Sequence, residues 1–133
     1  MLLDQPVLSE EKARLLSPLQ LAYIGDAVWD ILVRTGLVLR GLNVRHMHAE
    51  AIRRVNAGAQ ARALRRIEPM LTEAERSVAL RGRNAHPHHS VPKNQQPGDY
   101  SDATALESLI GYLYLTGDEA RLRTLFAVTQ EED

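Results

Sequence analysis

The sequence predicts an all-α protein, and three observations support this prediction. Two apolar stretches, residues 19–33 and 101–117, are of helical length and much longer than an ordinary strand. Aromatic residues make up only 5% of the chain, and the β-branched residues are scattered rather than alternating. Residues that start and end helices flank both stretches. A chain of 133 residues can bury a core of its own, so we expect one domain over residues 1–133.

The first predicted helices follow an acidic lead-in. A short helix is expected over residues 9–16. Ser17 and Pro18 form a strong helix start, because serine is a favoured N-cap and proline suits the first helical position. The first long helix is therefore expected from Pro18 to Thr35, with Gly36 ending it. Because its apolar residues cover nearly every face, we expect it to be buried, either centrally or at a subunit contact.

The middle of the chain predicts two further helices. Asn43 can cap a helix that is rich in alanine and arginine and runs over residues 44–67, with a kink near residues 56–58. A capping box that begins at Thr72 predicts a third helix over residues 73–81.

The last third of the chain predicts a long loop followed by two helices. Residues 81–99 contain three prolines and no periodicity, and a loop of this length in a small domain is usually functional or disordered. Ser101 or Asp102 can cap the fourth helix, which is expected to end at Gly117. A final helix is expected over residues 118–128.

The charges of the chain are distributed unevenly. The net charge is −1, but residues 40–97 carry eleven lysines and arginines against four acids, a net charge of +7, and the remainder carries −8. All five histidines lie in the basic segment. This asymmetry indicates a face that binds a polyanion. The alternative is a set of arginine-rich helix faces that are merely solvated.

Composition excludes several classes of protein. The absence of cysteine excludes a disulfide framework and a thiolate metal site, and fits a reducing compartment. The N-terminal residues do not have the pattern of a signal peptide, and no apolar run is long enough to span a membrane without a charge. We therefore expect a soluble protein that does not act at a membrane.

Two acidic residues stand within the apolar helices. Asp26 follows Gly25 in the first long helix, and Glu107 lies one turn before Gly111 in the fourth. Glycines at these positions would let the two helices approach closely, and the two carboxylates would then meet in a mostly dry setting. Two bare carboxylates repel, whereas a divalent cation such as Mg²⁺ stabilises them. The alternative is that the glycine serves packing alone and that Asp26 is a salt-bridged core residue.

These stretches resemble a known family. LAYIGDAVWDILVR (residues 21–34) resembles the signature helix of ribonuclease III domains, and ALESLIGYLYLTG (residues 105–117) resembles their second acidic helix. RGRNA (residues 81–85) and PKN (residues 92–94) resemble the loop of the compact branch, mini-ribonuclease III, which has no separate double-stranded RNA-binding domain. The resemblance extends over residues 17–128.

The resemblance implies a fold and a function. It implies the helical ribonuclease III endonuclease domain as a homodimer with the signature helices near the subunit contact. It further implies two metal-dependent sites that hydrolyse double-stranded RNA, with Mg²⁺ as the cofactor and Mn²⁺ as a substitute. The expected substrate is the precursor of large-subunit (23S) ribosomal RNA, in the bacterial cytoplasm or plastid stroma, with a ribosomal protein as a candidate helper. Apolar residues of the first long helix are the expected dimer contacts: Leu19, Leu21, Ile24 and Val28.

The site residues follow from the same resemblance. Asp26 matches the signature aspartate and Glu107 the glutamate of the second helix, so both are expected as catalytic residues and metal ligands. Full-size members carry three further acids, where this chain has Leu19, Ala22 and Thr104. The number of metals in each site therefore stays open.

RNA contacts are expected from the loop. Arg81, Arg83 and Lys93 suit phosphates, and Asn84 and Asn94 suit 2′-hydroxyls or base edges.

Two other kinds of residue are weaker candidates. The loop histidines, His86, His88 and His89, favour phosphate contact over a transition-metal site. Asp30, one turn after Asp26, is expected to face solvent or to pair with an arginine.

Two other functions are compatible with the residues. One is an RNA-binding module of the same fold that no longer cuts, because acids are missing at three positions. The other is a helical interaction protein whose arginines are only solvated. The retention of Asp26 and Glu107 argues against the first, and the long basic loop argues against the second.

Overall fold

Six helices of the structure begin after a residue whose side chain accepts a hydrogen bond from the first turn. A computed structural model of the protein describes residues 8–85 and 97–131, and these residues form seven α-helices and no strand. The helices are α1 (Glu10–Leu15), α2 (Pro18–Leu39), α3 (Val44–Val55), α4 (Ala57–Ile67), α5 (Glu73–Arg83), α6 (Pro97–Leu115) and α7 (Glu119–Thr129). A 3₁₀ helix, Glu68–Met70, joins α4 to α5. The prediction of an all-α fold is confirmed.

Helix α6 lies at the centre of the domain. It packs against α2 along most of its length and against α4, α5 and α7 on its other sides. Its middle turns are buried all round, including Ala105, Leu106, Leu109 and Ile110. Being enclosed on every side explains why this helix has no polar face.

Two helix boundaries in the first half of the chain differ from the sequence prediction. Helix α2 continues past Gly36 to Leu39, and Gly41, with φ of +74°, follows its end. A glycine costs a helix only about 1 kcal/mol, which the packing of this helix offsets. Asn56, with ψ of 164°, divides residues 44–67 into two helices rather than kinking one, and its side chain caps the second by accepting from the Ala59 amide.

The predicted loop at residues 81–99 is shorter than expected. Helix α5 continues to Arg83, and α6 begins at Pro97, so that Ser101 and Asp102 lie inside the helix rather than capping it. Proline is well suited to the first turn of a helix, which the sequence prediction did not take into account at Pro97. The predicted final helix from Asp118 agrees with the structure, where the Asp118 side chain accepts from the Arg121 amide.

None of the helices in residues 8–85 and 97–131 combines the length and hydropathy needed to cross a bilayer.

Candidate active site

The site lies where α2 and α6 cross, and two glycines set the distance between these helices. A β-carbon placed on Gly25 would lie 1.7 Å from the carbonyl oxygen of Glu107. One placed on Gly111 would lie 2.0 Å from the carbonyl oxygen of Leu21. Each glycine thus lets the backbone of the other helix pass over it, and any larger residue would push the helices apart. The close crossing brings the residues next to these glycines together.

Asp26 and Glu107 meet at this crossing. Their carboxyl groups lie within hydrogen-bonding reach, with Asp26 exposed and Glu107 largely buried. Burial, followed by the hydrogen bond and the negative charge of Asp26, raises the pKa of Glu107 to about 8. Without a cation, Glu107 therefore keeps its proton near neutral pH.

Gln60 is a third polar side chain at the site, and the sequence prediction missed it. It comes from α4, is 3% exposed, and donates from Nε2 to Glu107 Oε2 over 3.5 Å. The signal in the sequence was that Gln60 is a polar residue on an otherwise apolar face of its helix. Nothing in the local pattern, however, indicates that this helix packs beside Glu107.

The positions of the missing acids are occupied by residues that offer no carboxylate. Ala22 is buried, Leu19 is partly exposed, and the Thr104 hydroxyl donates to the carbonyl of Tyr100 in its own helix at 3.0 Å. Within residues 8–85 and 97–131, no three histidine, cysteine or acidic side chains gather into a metal-binding group. Two carboxylates beside an amide still form a donor set that offers oxygen atoms. Such a set suits a hard cation that keeps several waters, as Mg²⁺ does.

Two arginines predicted to contact RNA are engaged within the protein. Arg81 donates to the carbonyls of Arg14 and Leu16, at the end of α1. The Arg83 guanidinium lies 2.7 Å from a Glu68 carboxylate oxygen and 2.8 Å from one of Asp102.

The other predicted RNA contacts lie after α5. Asn84 is exposed and forms the C-cap of that helix. Lys93, Asn94 and the three loop histidines lie outside the described residues.

Asp30 lies on the exposed side of α2. Its carboxylate lies 3.2 Å from Nε of Arg34, one turn along the same helix. The contact agrees with the sequence prediction that Asp30 faces solvent or pairs with an arginine.

A basic cavity of about 600 Å³ lies between α3, α4 and the end of α7. Five arginines line it, with Glu50 and Glu131 as the acids: Arg53, Arg54, Arg62, Arg65 and Arg66. Glu50 pairs with Arg53 and Arg54, while Arg62 is exposed. Five of the arginines in the positive segment therefore gather around one cavity, in a place that the sequence did not specify.

Helix α2 also presents apolar side chains to solvent at a spacing of four residues. Leu19 is 44% exposed, Tyr23 85% and Ile31 48%, with exposed Ala27 between them. We call these four residues the α2 stripe. An apolar cavity of about 250 Å³ adjoins it, lined by residues of α2, α6 and α7 that include Tyr114 and Leu122.

The residues expected at a dimer contact differ in exposure. Leu21 is 1% exposed in the protomer's own core and has no surface left to offer a partner, so its place in the predicted contact is wrong. Ile24 and Val28 line the apolar cavity beside the α2 stripe, and their place in a dimer contact stays a prediction.

An all-α domain that brings two carboxylates together at a close helix crossing and carries an arginine-lined cavity has the features of a helical nuclease. Comparison with known proteins gives the family. Residues 19–118 match the ribonuclease III domain model. The chain belongs to the ribonuclease III domain family and is an endoribonuclease.

Relatives of the chain include proteins named mini-ribonuclease 3. The one from Symbiobacterium thermophilum is 47% identical over 108 residues, covering 80% of this chain and 82% of the relative. The one from Brevibacillus brevis is 44% identical, covering 89% and 91%. A crystal structure of a Fusobacterium nucleatum protein is similar at a TM-score of 0.79 and 29% identity, covering 86% of this chain and 92% of that one. The resemblance to the compact branch is thereby confirmed.

Proposed function

We propose that the protein is a metal-dependent endoribonuclease that cuts double-stranded RNA, with Asp26 and Glu107 as its catalytic residues and metal ligands. The observation that carries this proposal is the meeting of the two carboxylates at the α2–α6 crossing. Two adjacent carboxylates, one of them partly buried, repel each other, and a bound cation relieves this repulsion. When bound, Mg²⁺ would supply an activated water and stabilise the leaving oxygen of the phosphodiester.

The chain's own residues prepare this site. The exposed carboxylate of Asp26 faces the side from which a phosphate can approach. Glu107 is held on α6 beneath it and must release its proton before it can act as a ligand. Gly25 and Gly111 keep the crossing close, so that neither carboxylate has to rotate far to reach the other. No protein nucleophile is needed.

The RNA surface combines the arginine cavity with the segment after α5. Phosphate contacts contribute affinity and position, and double-stranded RNA is read largely by shape and backbone. We propose that the cavity arginines contact one stretch of backbone and that Arg81, Arg83, Asn84, Lys93 and Asn94 contact another. Arg83 should contribute least to RNA affinity in this set, because contact with RNA would have to break its ion pairs with Glu68 and Asp102.

A homodimer is the proposed assembly, with the α2 stripe at its centre. Exposed tyrosine and leucine along one helix, next to an apolar cavity, resemble the core of a protein interface more than a solvated surface. Residues 1–133 would form one catalytic domain of each protomer, because one hydrophobic core connects α1 to α7.

The biological substrate we propose is the 23S ribosomal RNA precursor, in the bacterial cytoplasm or plastid stroma, with a ribosomal protein as a further partner. The bacterial origin of the relatives supports the bacterial setting, and the absence of cysteine from the chain fits a reducing compartment.

One pair of measurements tests the proposed function. Purified protein is incubated with duplex RNA in Mg²⁺ and in chelator, and RNA affinity is measured in chelator alone. Cleavage that requires Mg²⁺ supports the proposal. Tight binding with no cleavage in any divalent cation would instead identify a silent RNA-binding module. Neither binding nor cleavage would identify an interaction protein.

A further inference from the structure

The site contains a buried amide that the roles assigned so far do not use. Gln60 lies on α4 and is 3% exposed, yet its long polar side chain points toward the α2–α6 crossing. A glutamine loses much side-chain entropy on burial, and an amide left without a hydrogen-bond partner in an apolar setting destabilises the fold. Burying this residue is therefore costly unless its contact with Glu107 offsets the penalty.

The position of Gln60 is fixed by its own helix. Asn56 caps α4, and its carbonyl accepts from the Gln60 amide at 3.0 Å in the first turn. The neighbours Ala57, Ala61 and Leu64 are buried and anchor the same face of α4 against the core. The Gln60 side chain thus extends from the firmly packed helix α4 and donates to Glu107, which is 47 residues further along the chain.

The chemistry of the contact is specific. A carboxylate offers only acceptor oxygens, so the NH₂ end of the amide faces it. The Glu107 carboxyl group then has Asp26 on one side and the Gln60 N–H on the other. The Gln60 N–H thus contacts one of the two Glu107 oxygens from a helix that carries neither carboxylate.

We propose that Gln60 is a positioning residue of the active site: it holds the Glu107 carboxylate in the orientation in which it binds a divalent cation. This inference rests on the proposed function. Within the described residues no third histidine, cysteine or acidic side chain joins the two carboxylates, and Leu19, Ala22 and Thr104 add none. With two carboxylates alone, the orientation of each decides whether the site works. Groups that orient a metal ligand typically contribute about 10- to 100-fold to metal affinity or activity.

The test is a Mn²⁺ titration of the RNA-free protein by isothermal calorimetry, together with turnover at saturating duplex RNA. Gln60→Met keeps the length of the side chain and removes the amide. Gln60→Asn keeps an amide but withdraws it by one methylene. We expect both variants to bind Mn²⁺ at least about tenfold more weakly, to turn over more slowly by a similar factor, and to bind RNA in chelator as the wild type does.

Ser108→Ala is the matched control. Ser108 is buried beside Glu107 and donates to the Pro18 carbonyl at 3.0 Å, away from the two carboxylates. This variant should be less stable than the wild type but keep wild-type Mn²⁺ affinity.

Wild-type Mn²⁺ affinity in either folded Gln60 variant would overturn the inference, as would an equal weakening in Ser108→Ala. Asp26→Asn and Glu107→Gln are titrated alongside. If these two also bind Mn²⁺ normally, the proposed metal site itself fails. If they no longer bind Mn²⁺ and the Gln60 variants still do, only the role of Gln60 is rejected.

Discussion

Gly25 lies directly against the backbone of Glu107, where a β-carbon would come within 1.7 Å of the Glu107 carbonyl oxygen. Gly25 directly precedes Asp26, so the chain neighbour of one site acid contacts the backbone of the other, Glu107. Packing and chemistry are coupled at this point: the spacing that brings the acids together is the same spacing that only glycine allows.

A β-carbon at Gly25 should separate the helices. We expect Gly25→Ala to lower the free energy of unfolding by about 3 kcal/mol or more, because the clash is with backbone and cannot be relieved by a rotamer change. The matched control is Gly36→Ala on the same helix, where a β-carbon meets nothing within 4 Å. That change should stabilise the protein by about 0.5–1 kcal/mol. Urea unfolding of both variants measures the difference, and a similar effect at both positions would contradict the close crossing.

Removing either site carboxylate should abolish cleavage without unfolding the protein. We expect Asp26→Asn and Glu107→Gln to lower turnover by about 10⁴-fold, an effect typical of removing one member of a catalytic unit. Duplex RNA affinity in chelator should stay near the wild-type value. Asp30→Asn is the control, since Asp30 lies one turn further along α2 and pairs with Arg34. It should cut normally. Full activity in either site variant would remove that residue from the assignment.

The pKa of Glu107 makes the stability of the metal-free protein depend on pH. Because the pKa rises from an ordinary 4.5 to about 8 on folding, the folded state holds a proton that the unfolded state has released between these values. Stability from this group is thus full below about pH 4.5 and is lost as the pH rises to about 8, by at most about 1.4 kcal/mol per pH unit.

Glu107→Gln should remove this dependence. The difference in melting temperature between this variant and the wild type, both in chelator, should grow from about pH 5 to about pH 8 in favour of the variant and then level off. A difference that is constant with pH would show that Glu107 ionises normally. Mg²⁺ should stabilise the wild type more at about pH 8 than at about pH 6, because a proton competes with the metal.

A charge in the α2 stripe should dissociate the proposed dimer. Tyr23 is 85% exposed, so Tyr23→Glu cannot disturb the protomer core and should shift the protein from dimer to monomer at micromolar concentration. Leu80→Glu on α5, where the side chain is 52% exposed, is the control and should leave the assembly unchanged. Analytical ultracentrifugation distinguishes the two outcomes. A wild-type protein that already sediments as a monomer would rule out the assembly.

The arginine cavity and Arg83 should respond differently to alanine substitution. Arg62→Ala removes an exposed cavity arginine, and we expect weaker duplex binding together with a salt slope that is smaller by about one for each phosphate the side chain neutralised. Arg83→Ala removes the partner of Glu68 and Asp102, so we expect lower stability and a smaller change in the salt slope than Arg62→Ala causes. RNA affinity across a salt series and thermal melting are measured for both. The reverse pattern would make the end of α5, and not the arginine cavity, the main RNA surface.

Most helices of this protein follow from local sequence. Ser17 with Gln20, and Thr72 with Glu75, form the capping boxes that start α2 and α5, and these hydrogen bonds span only three residues. Interactions of such short range act wherever the chain lies, so the pattern alone predicts them. The two acids in apolar helices can also be recognised from the sequence as candidate site residues, because burying a charged side chain is costly unless it has a partner.

Interactions between distant parts of the chain decided the rest. Nothing in the sequence around Arg83 indicates an ion pair, but in the folded protein its guanidinium lies against the carboxylates of Glu68 and Asp102. Gln60 joins Glu107 only once α4 has packed on α6. The sequence by itself determined the helices, the acid pair and the excess of positive charge. Tertiary packing alone decided which arginines are held by acids and which amide completes the site, because these interactions depend on distances that no local pattern encodes.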